Sequence, residues 1–251
     1  MIGDIVGKPG RKAVGEILAG LRHEYDIDLV IGNSENAAGG LGLTLSTARE
    51  LFDSGIDVIT TGNHVWAQKE IIPYLDSELA LLRPLNYPPK NPGRGYLFKD
   101  SVLVVNLVGR VFMGNFDCPF RGMDQLLAEL KPKPPVIIVD FHAEATSEKM
   151  AMGRYLDGRV SAVLGTHTHV GTIDAQVLPK GTAYVTDIGM TGPMDSIIGD
   201  DAEMVLRRFL TALPHRLSVG TGKVMLNTIL VRVDDKSGRA VNIERLYREM
   251  E

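Results

Sequence analysis

Short apolar, β-branched runs alternate with helically spaced segments along nearly the whole of this sequence. That alternation commits a chain to a layered α/β fold, because each strand must bury its faces against helices lying next to it. Strand-like runs cover residues 28–32, 57–61, 102–108, 136–141, 160–165, 183–186 and 223–233. Helical periodicity predicts helices at 9–25, 45–54, 123–130, 147–156 and 201–210. In the first of these, Ala13, Val14, Ile17, Leu18 and Leu21 form one stripe, and Pro9 suits a first-turn position. Gly55 ends the second helix, and Pro132 stops the third. The stretch 83–95 carries Pro84, Pro88, Pro89 and Pro92 and reads as a loop, since the patterning resumes unchanged on both sides. Neither a repeat nor a low-complexity segment interrupts the chain, so its 251 residues are expected to form one domain. Any strand ahead of Asp4 must be very short.

Composition narrows the partners. A net charge of −4 argues against a footprint for long nucleic acid, although bound cations would still let a small anion approach. The single cysteine, Cys118, rules out an intrachain disulfide and suits a reducing compartment. The first residues lack the character of a signal peptide, and no apolar run approaches the roughly 20 residues that span a bilayer. A cytoplasmic protein without a membrane partner is the expectation.

The informative residues stand where the apolar runs stop. Ile2-Gly3 leads to Asp4; residues 29–32 lead to Asn33-Ser34-Glu35-Asn36; residues 58–60 lead to Gly62-Asn63-His64. Residues 136–139 lead to Asp140-Phe141-His142, and 162–164 to Gly165-Thr166-His167-Thr168-His169. In α/β sheets ligands bind outside the carboxyl ends of strands, so these loops are placed to converge on one crevice. Imidazoles and carboxylates with no thiolate suit manganese, iron or zinc. In an extended segment, His167 and His169 would point to the same side. Their Cα atoms, about 7 Å apart, would let each reach a different ion of a pair about 3.5–4 Å apart. Glu35 has two oxygens with which to bridge such a pair, and the Asn63 amide oxygen adds a neutral ligand. Four of the six histidines lie in these loops; His23 and His215 do not and are expected at the surface.

These motifs, with the continuous segment 140–149 (DFHAEATSEK), resemble the calcineurin-like metallophosphoesterases, and more narrowly the YmdB-type bacterial phosphodiesterases. The resemblance spans essentially the whole chain. It implies a four-layer α/β/β/α sandwich with the metal site at the C-terminal ends of the strands. It also implies two metal ions per chain, iron or manganese with zinc as an alternative. Asp4, Glu35, Asn36 and His169 resemble the ligands of one ion; Glu35, Asn63, His142 and His167 resemble those of the other. His64 resembles the general acid. The implied activity is hydrolysis of a small phosphodiester, a 2′,3′-cyclic nucleotide in particular, by a homo-oligomer.

Against the wider superfamily, the usual D-x-H is Asp4-Ile5-Val6 here, the usual second aspartate is Glu35, and Val65 follows His64 in place of an acid. The implied reaction is in-line attack on phosphorus by hydroxide formed between two cations, with His64 protonating the leaving ribose oxygen. Asp140 and Glu144 could orient His142 or cap the following helix. Arg83, Arg94, Arg110 and Arg121 are candidate phosphate contacts, and residues 186–192 could line the cleft. A phosphomonoesterase on the same metal core, a non-catalytic metal-binding regulator and a single-metal amidohydrolase remain as alternatives.

Overall fold

A computed structural model describes residues 1–250. Its strands are β1 (Asp4–Ile5), β2 (Ile31–Asn33), β3 (Val58–Thr60), β4 (Tyr96–Lys99), β5 (Val102–Val108), β6 (Val136–His142), β7 (Ala162–Thr166), β8 (Gln176–Val177), β9 (Ala183–Val185), β10 (Met190–Pro193), β11 (Val224–Val233) and β12 (Ala240–Met250). The helices are α1 (Gly7–Tyr25), α2 (Leu45–Asp53), α3 (Pro119–Glu129), α4 (Thr146–Leu156) and α5 (Ala202–Thr211), with a 3₁₀ segment at Lys69–Tyr74.

One sheet has the order β4-β5-β6-β7-β9-β8. Its β5, β6, β7 and β9 run parallel, and β4 and β8 close the edges antiparallel. Parallel strands are covered on both faces, which is why β5 and β6 read as apolar runs interrupted only by Asn106 in β5 and by Asp140 and His142 at the end of β6. A second sheet has the order β1-β10-β11-β12, and β2 pairs with β3 in a short parallel pair. Ile2 bridges to both Gly32 and Thr228, tying that pair to the second sheet.

Three apolar clusters hold these parts together. Ala13, Val14, Leu18 and Leu21 of α1 and Leu51 of α2 pack with Ile5, Ile59 and Leu226 on one side of the second sheet. Met123 and Leu126 of α3 and Met152 and Leu156 of α4 pack with Leu103, Val105, Val139 and Phe141 of the first. Between the sheets, Val104, Ile138 and Leu164 meet Ile31, Val58 and Ile229.

Several boundaries differ from the sequence reading. The run at 28–32 begins its strand only at Ile31, because the carbonyl of Val30 is taken by the N–H groups of Asp57 and Val58. α3 starts earlier than expected, with Pro119 in its first turn, where a missing N–H costs nothing. The proline-rich stretch 83–95 is irregular, yet Leu82 bridges Arg94 and the N–H of Arg83 donates to the Arg94 carbonyl. Strands β4, β8, β10 and β12 have no counterpart in the sequence reading; in the last, residues 240–250 mix Glu, Arg, Leu and Met, a helix-tolerant composition. A turn at 234–238 folds them back on β11, with Asp234 accepting from the Ser237 N–H and hydroxyl. Hairpin pairing overrides local propensity there.

Candidate metal centre

The strand ends do converge. Glu35 Oε1 lies 3.1 Å from His142 Nε2 and 3.2 Å from His64 Nδ1, and the His64 N–H donates to Glu35 Oε2 at 3.0 Å. His142 Nε2 is also 3.1 Å from Asn63 Oδ1 and 3.0 Å from His167 Nδ1. Carboxylate, amide and imidazole acceptors brought this close together are a donor set that suits a cation. Ligand atoms of Glu35, His142 and His167 lie within 4.8 Å of one another, compact enough for one ion. Gly62 makes the approach feasible, since a Cβ there would fall 2.2 Å from His142 Cδ2 and 2.4 Å from Glu35 Oε2.

Asp4 lies beside this group at zero exposure. Its Oδ2 accepts from the His167 N–H at 3.0 Å, while Oδ1 has no hydrogen-bond partner among the described residues. The nearest imidazole nitrogens, His142 Nδ1 and His169 Nε2, are 3.8 Å away, beyond hydrogen-bond reach. A buried carboxylate oxygen left open in this way is costly, and a cation would satisfy it. Asn36 completes the group with Nδ2 3.1 Å from His169 Nε2 and Oδ1 2.9 Å from His64 Nδ1. Its NH₂, not its oxygen, faces His169, so acting as a ligand on that side requires a half-turn of the amide.

The outer nitrogens of the three imidazoles all meet oxygen acceptors. His142 Nδ1 is 3.0 Å from the Thr166 hydroxyl oxygen, whose own proton goes to Asp140 Oδ1 at 2.7 Å. His167 Nε2 is 3.0 Å from Glu144 Oε2, and His169 Nδ1 is 2.6 Å from the Ile198 carbonyl. Each contact makes the outer nitrogen the donor and leaves the inner one with a lone pair aimed at the cluster, the arrangement that orients imidazoles for a metal. Asp140 is held in turn by the Thr60 hydroxyl and Asn33 Nδ2, at 2.5 and 3.0 Å. Neither Asp140 nor Glu144 caps α4, whose N-cap is Ala145. The sequence points to Asp140 and Glu144 as partners of His142, but Asp140 reaches it through the Thr166 hydroxyl and Glu144 meets His167 instead; Thr60, Thr166 and Ile198 carry no such sequence signal, and Ile198 offers only a backbone oxygen.

Several sequence expectations are corrected. His167 and His169 do not sit in an extended segment: β7 stops at Thr166, and the two histidines have φ of 105° and 66°. Left-handed backbone is costly for such residues and persists only where surroundings enforce it. Here the Asp4 carboxylate holds the His167 N–H, and Asp187 Oδ2 holds the Thr168 N–H and hydroxyl at 3.1 and 2.8 Å. Asp187 pairs with Lys149 at 2.6 Å, both side chains 1% exposed. The two rings still reach one cleft, through kinks instead of strand alternation. Arg83 is likewise no phosphate contact: it is buried and spends its donors on the carbonyls of Pro84, Asn91 and Pro92. Arg94 is tied to the Ser77 carbonyl. His23 is exposed as expected, whereas His215 is half-buried.

Electrostatics follow the geometry. Burial opposes charge on His142, but the Glu35 carboxylate beside it, with Asp4 and Asp140, outweighs burial and lifts the imidazole to about 9. Burial also opposes ionisation of Glu35, yet His142 and His64 hold its carboxyl well below the usual range. Burial raises Asp4, and raises Asp140 to about 6 despite its hydrogen bonds. His167 is pushed down to about 3 by burial and by the neighbouring His142. Without a cation, one proton on His142 takes the place a cation would fill.

Among the described residues no helix is long and apolar enough to cross a membrane. Residues 1–246 match the family model of the YmdB-like proteins. The chain is 49% identical over 249 residues to a 2′,3′-cyclic-nucleotide 2′-phosphodiesterase of Bacillus subtilis, covering 98% of this chain and 94% of the relative. It is 37% identical over 256 residues to a putative phosphatase/phosphodiesterase of Mycoplasma pneumoniae, covering 98% and 90%. A crystal structure of a hypothetical protein from Thermus thermophilus superposes with a TM-score of 0.93 at 48% identity, covering 100% of this chain and 98% of that one. With shared sequence and shared backbone over essentially its full length, this chain belongs to the YmdB-like family.

Proposed function

We propose that the protein is a dinuclear-metal phosphodiesterase acting on small nucleoside 2′,3′-cyclic phosphates. The observation that carries this reading is the inward aim of three imidazole lone pairs on the carboxylates of Asp4 and Glu35, one of whose oxygens is buried and unpartnered. Asp4, Glu35, Asn36 and His169 would hold one ion, and Glu35, Asn63, His142 and His167 the other. Hard oxygen and imidazole donors without thiolate favour iron or manganese. The three apolar clusters support a four-layer α/β/β/α arrangement with this centre at the carboxyl ends of the strands. When bound, such ions activate water for attack on phosphorus and offset charge on the phosphoryl oxygens.

The side chains divide the remaining work. Glu35 Oε1, 3.2 Å from His64 Nδ1, accepts the Nδ1 proton whichever way the Asn36 amide is turned, which leaves Nε2 to carry a proton to the leaving ribose oxygen. Glu35 receives the His64 N–H and so fixes the acid relative to the metal ligands. Thr166 and Asp140 hold His142 in one tautomer, and Glu144 and the Ile198 carbonyl do the same for His167 and His169.

The test is elemental analysis of protein purified without chelator, together with turnover of 2′,3′-cyclic AMP and 5′-AMP. About two equivalents of metal and faster cleavage of the cyclic diester support the reading. One equivalent, or preference for the monoester, overturns it.

A further inference from the structure

The loop between β5 and α3 has a rigid base and an expensive tip. Asn86 is buried and clamps both feet: its Nδ2 donates to the Val108 and Asp117 carbonyls at 2.8 Å each, and its Oδ1 accepts from the Val108 N–H at 2.9 Å. The Asp117 N–H closes the clamp on the Asn86 carbonyl at 3.1 Å. Next along, the Gly109 N–H donates to the His142 carbonyl at 2.9 Å. The N–H groups of Arg110 and Val111 donate to the buried Glu148 carboxylate at 3.0–3.1 Å. The base of the loop is therefore fastened to the backbone of a candidate metal ligand.

Phe112, by contrast, is 90% exposed and has φ of 63°. Left-handed backbone is unfavourable for a bulky residue, and an aromatic ring in water forgoes its burial free energy. The fold gains nothing visible from either. Its chain neighbours Arg110 and Val111, with Asn115, Phe116, Asp117 and Glu148, line an open cavity of about 540 Å³ that Phe112 itself does not line, within the roughly 300–1,000 Å³ common for small-ligand sites. Phe116 packs edge-on against Tyr87 at 5.0 Å, and Tyr87 against Trp66 at 5.4 Å. The loop thus joins the site on two sides, at His142 and at the segment that carries His64.

We propose that this loop recognises the nucleoside part of the substrate, with the base stacking on Phe112 and its polar edge met by Arg110 and Asn115. The proposal rests on the diesterase reading above. An aromatic face accepts any base, so this element would bind nucleotides as a class and leave base preference to the two polar side chains.

The experiment compares adenosine 2′,3′-cyclic phosphate with a methyl riboside 2,3-cyclic phosphate, which has the same reacting centre and no base. In the metal-loaded protein, Phe112→Ala should lower kcat/KM for the adenosine compound about tenfold, mainly through KM, the scale of one lost base–aromatic stack. It should leave the baseless compound unchanged, and Phe112→Trp should restore the loss. Titration of wild type and Phe112→Ala with adenosine 3′-phosphate, read by fluorescence of Trp66, the single tryptophan, should show the same weakening. Equal losses on both compounds, or none on either, overturn the proposal and leave the diesterase reading standing. Wild-type protein that cleaves neither compound overturns both.

Discussion

Replacing Lys149 by methionine tests whether the Lys149–Asp187 pair sustains the kinked histidine segment. Lys149 Nζ lies 2.6 Å from Asp187 Oδ2, and both side chains are 1% exposed. Methionine keeps most of the lysine volume and removes the charge, so Asp187 is left buried without its counter-ion. Breaking a pair of this kind costs about 3–5 kcal/mol. Asp187 keeps bonds from the Thr168 N–H, the Thr168 hydroxyl and the Gly189 N–H, which places the loss near the lower end, about 3 kcal/mol. At roughly 2–4 °C per kcal/mol for a chain of this size, Tm should fall by about 6–12 °C. Urea unfolding at pH 7 should show a lower midpoint with an unchanged slope. Adding Asp187→Asn to the variant removes the orphaned charge and should recover part of the loss. A loss below about 1 kcal/mol, or a double variant less stable than Lys149→Met, would refute the argument that the buried charge is what matters.

Four further outcomes follow from the site. Thr166→Val removes the acceptor for His142 Nδ1 and a donor to buried Asp140, so metal affinity measured against a competing chelator should drop about 10–100-fold. Gly62→Ala would drive a Cβ to 2.2 Å from His142 Cδ2, so protein purified without chelator should lose bound metal while its circular dichroism stays native. His64→Gln should slow cleavage of ribose esters by about 10²–10⁴ and spare p-nitrophenyl esters, whose leaving group needs no proton; equal losses would remove the acid role. In metal-free protein His142 is lifted from 6.5 to about 9, so it contributes stability that is fully present below 6.5 and is lost as pH rises through 9. Metal loading near pH 7.5 must displace that proton, so affinity should rise with pH up to about 9, and calorimetry in buffers of different ionisation heat should report proton release.

The alternation of the buried strands and the helices was legible in the sequence because burial on two faces or one imprints a local period on the residues themselves. Strands such as 102–108, and the stripe of α1, could be read without knowing what they pack against. The metal-capable side chains were legible for a related reason: Asp4, Glu35, Asn63, His142, His167 and His169 each stand where an apolar run ends, and residue type states which atoms they offer. Strand β12 was not, since its conformation comes from pairing with β11 and not from its own composition. Nor were the kinks at His167 and His169, which depend on Asp4 and Asp187, or the tautomers, which depend on Thr166, Glu144 and the Ile198 carbonyl. Which atoms a chain offers is a property of its residues; which way a proton or lone pair points depends on groups far away in sequence, and only the packed structure brings them within 3 Å.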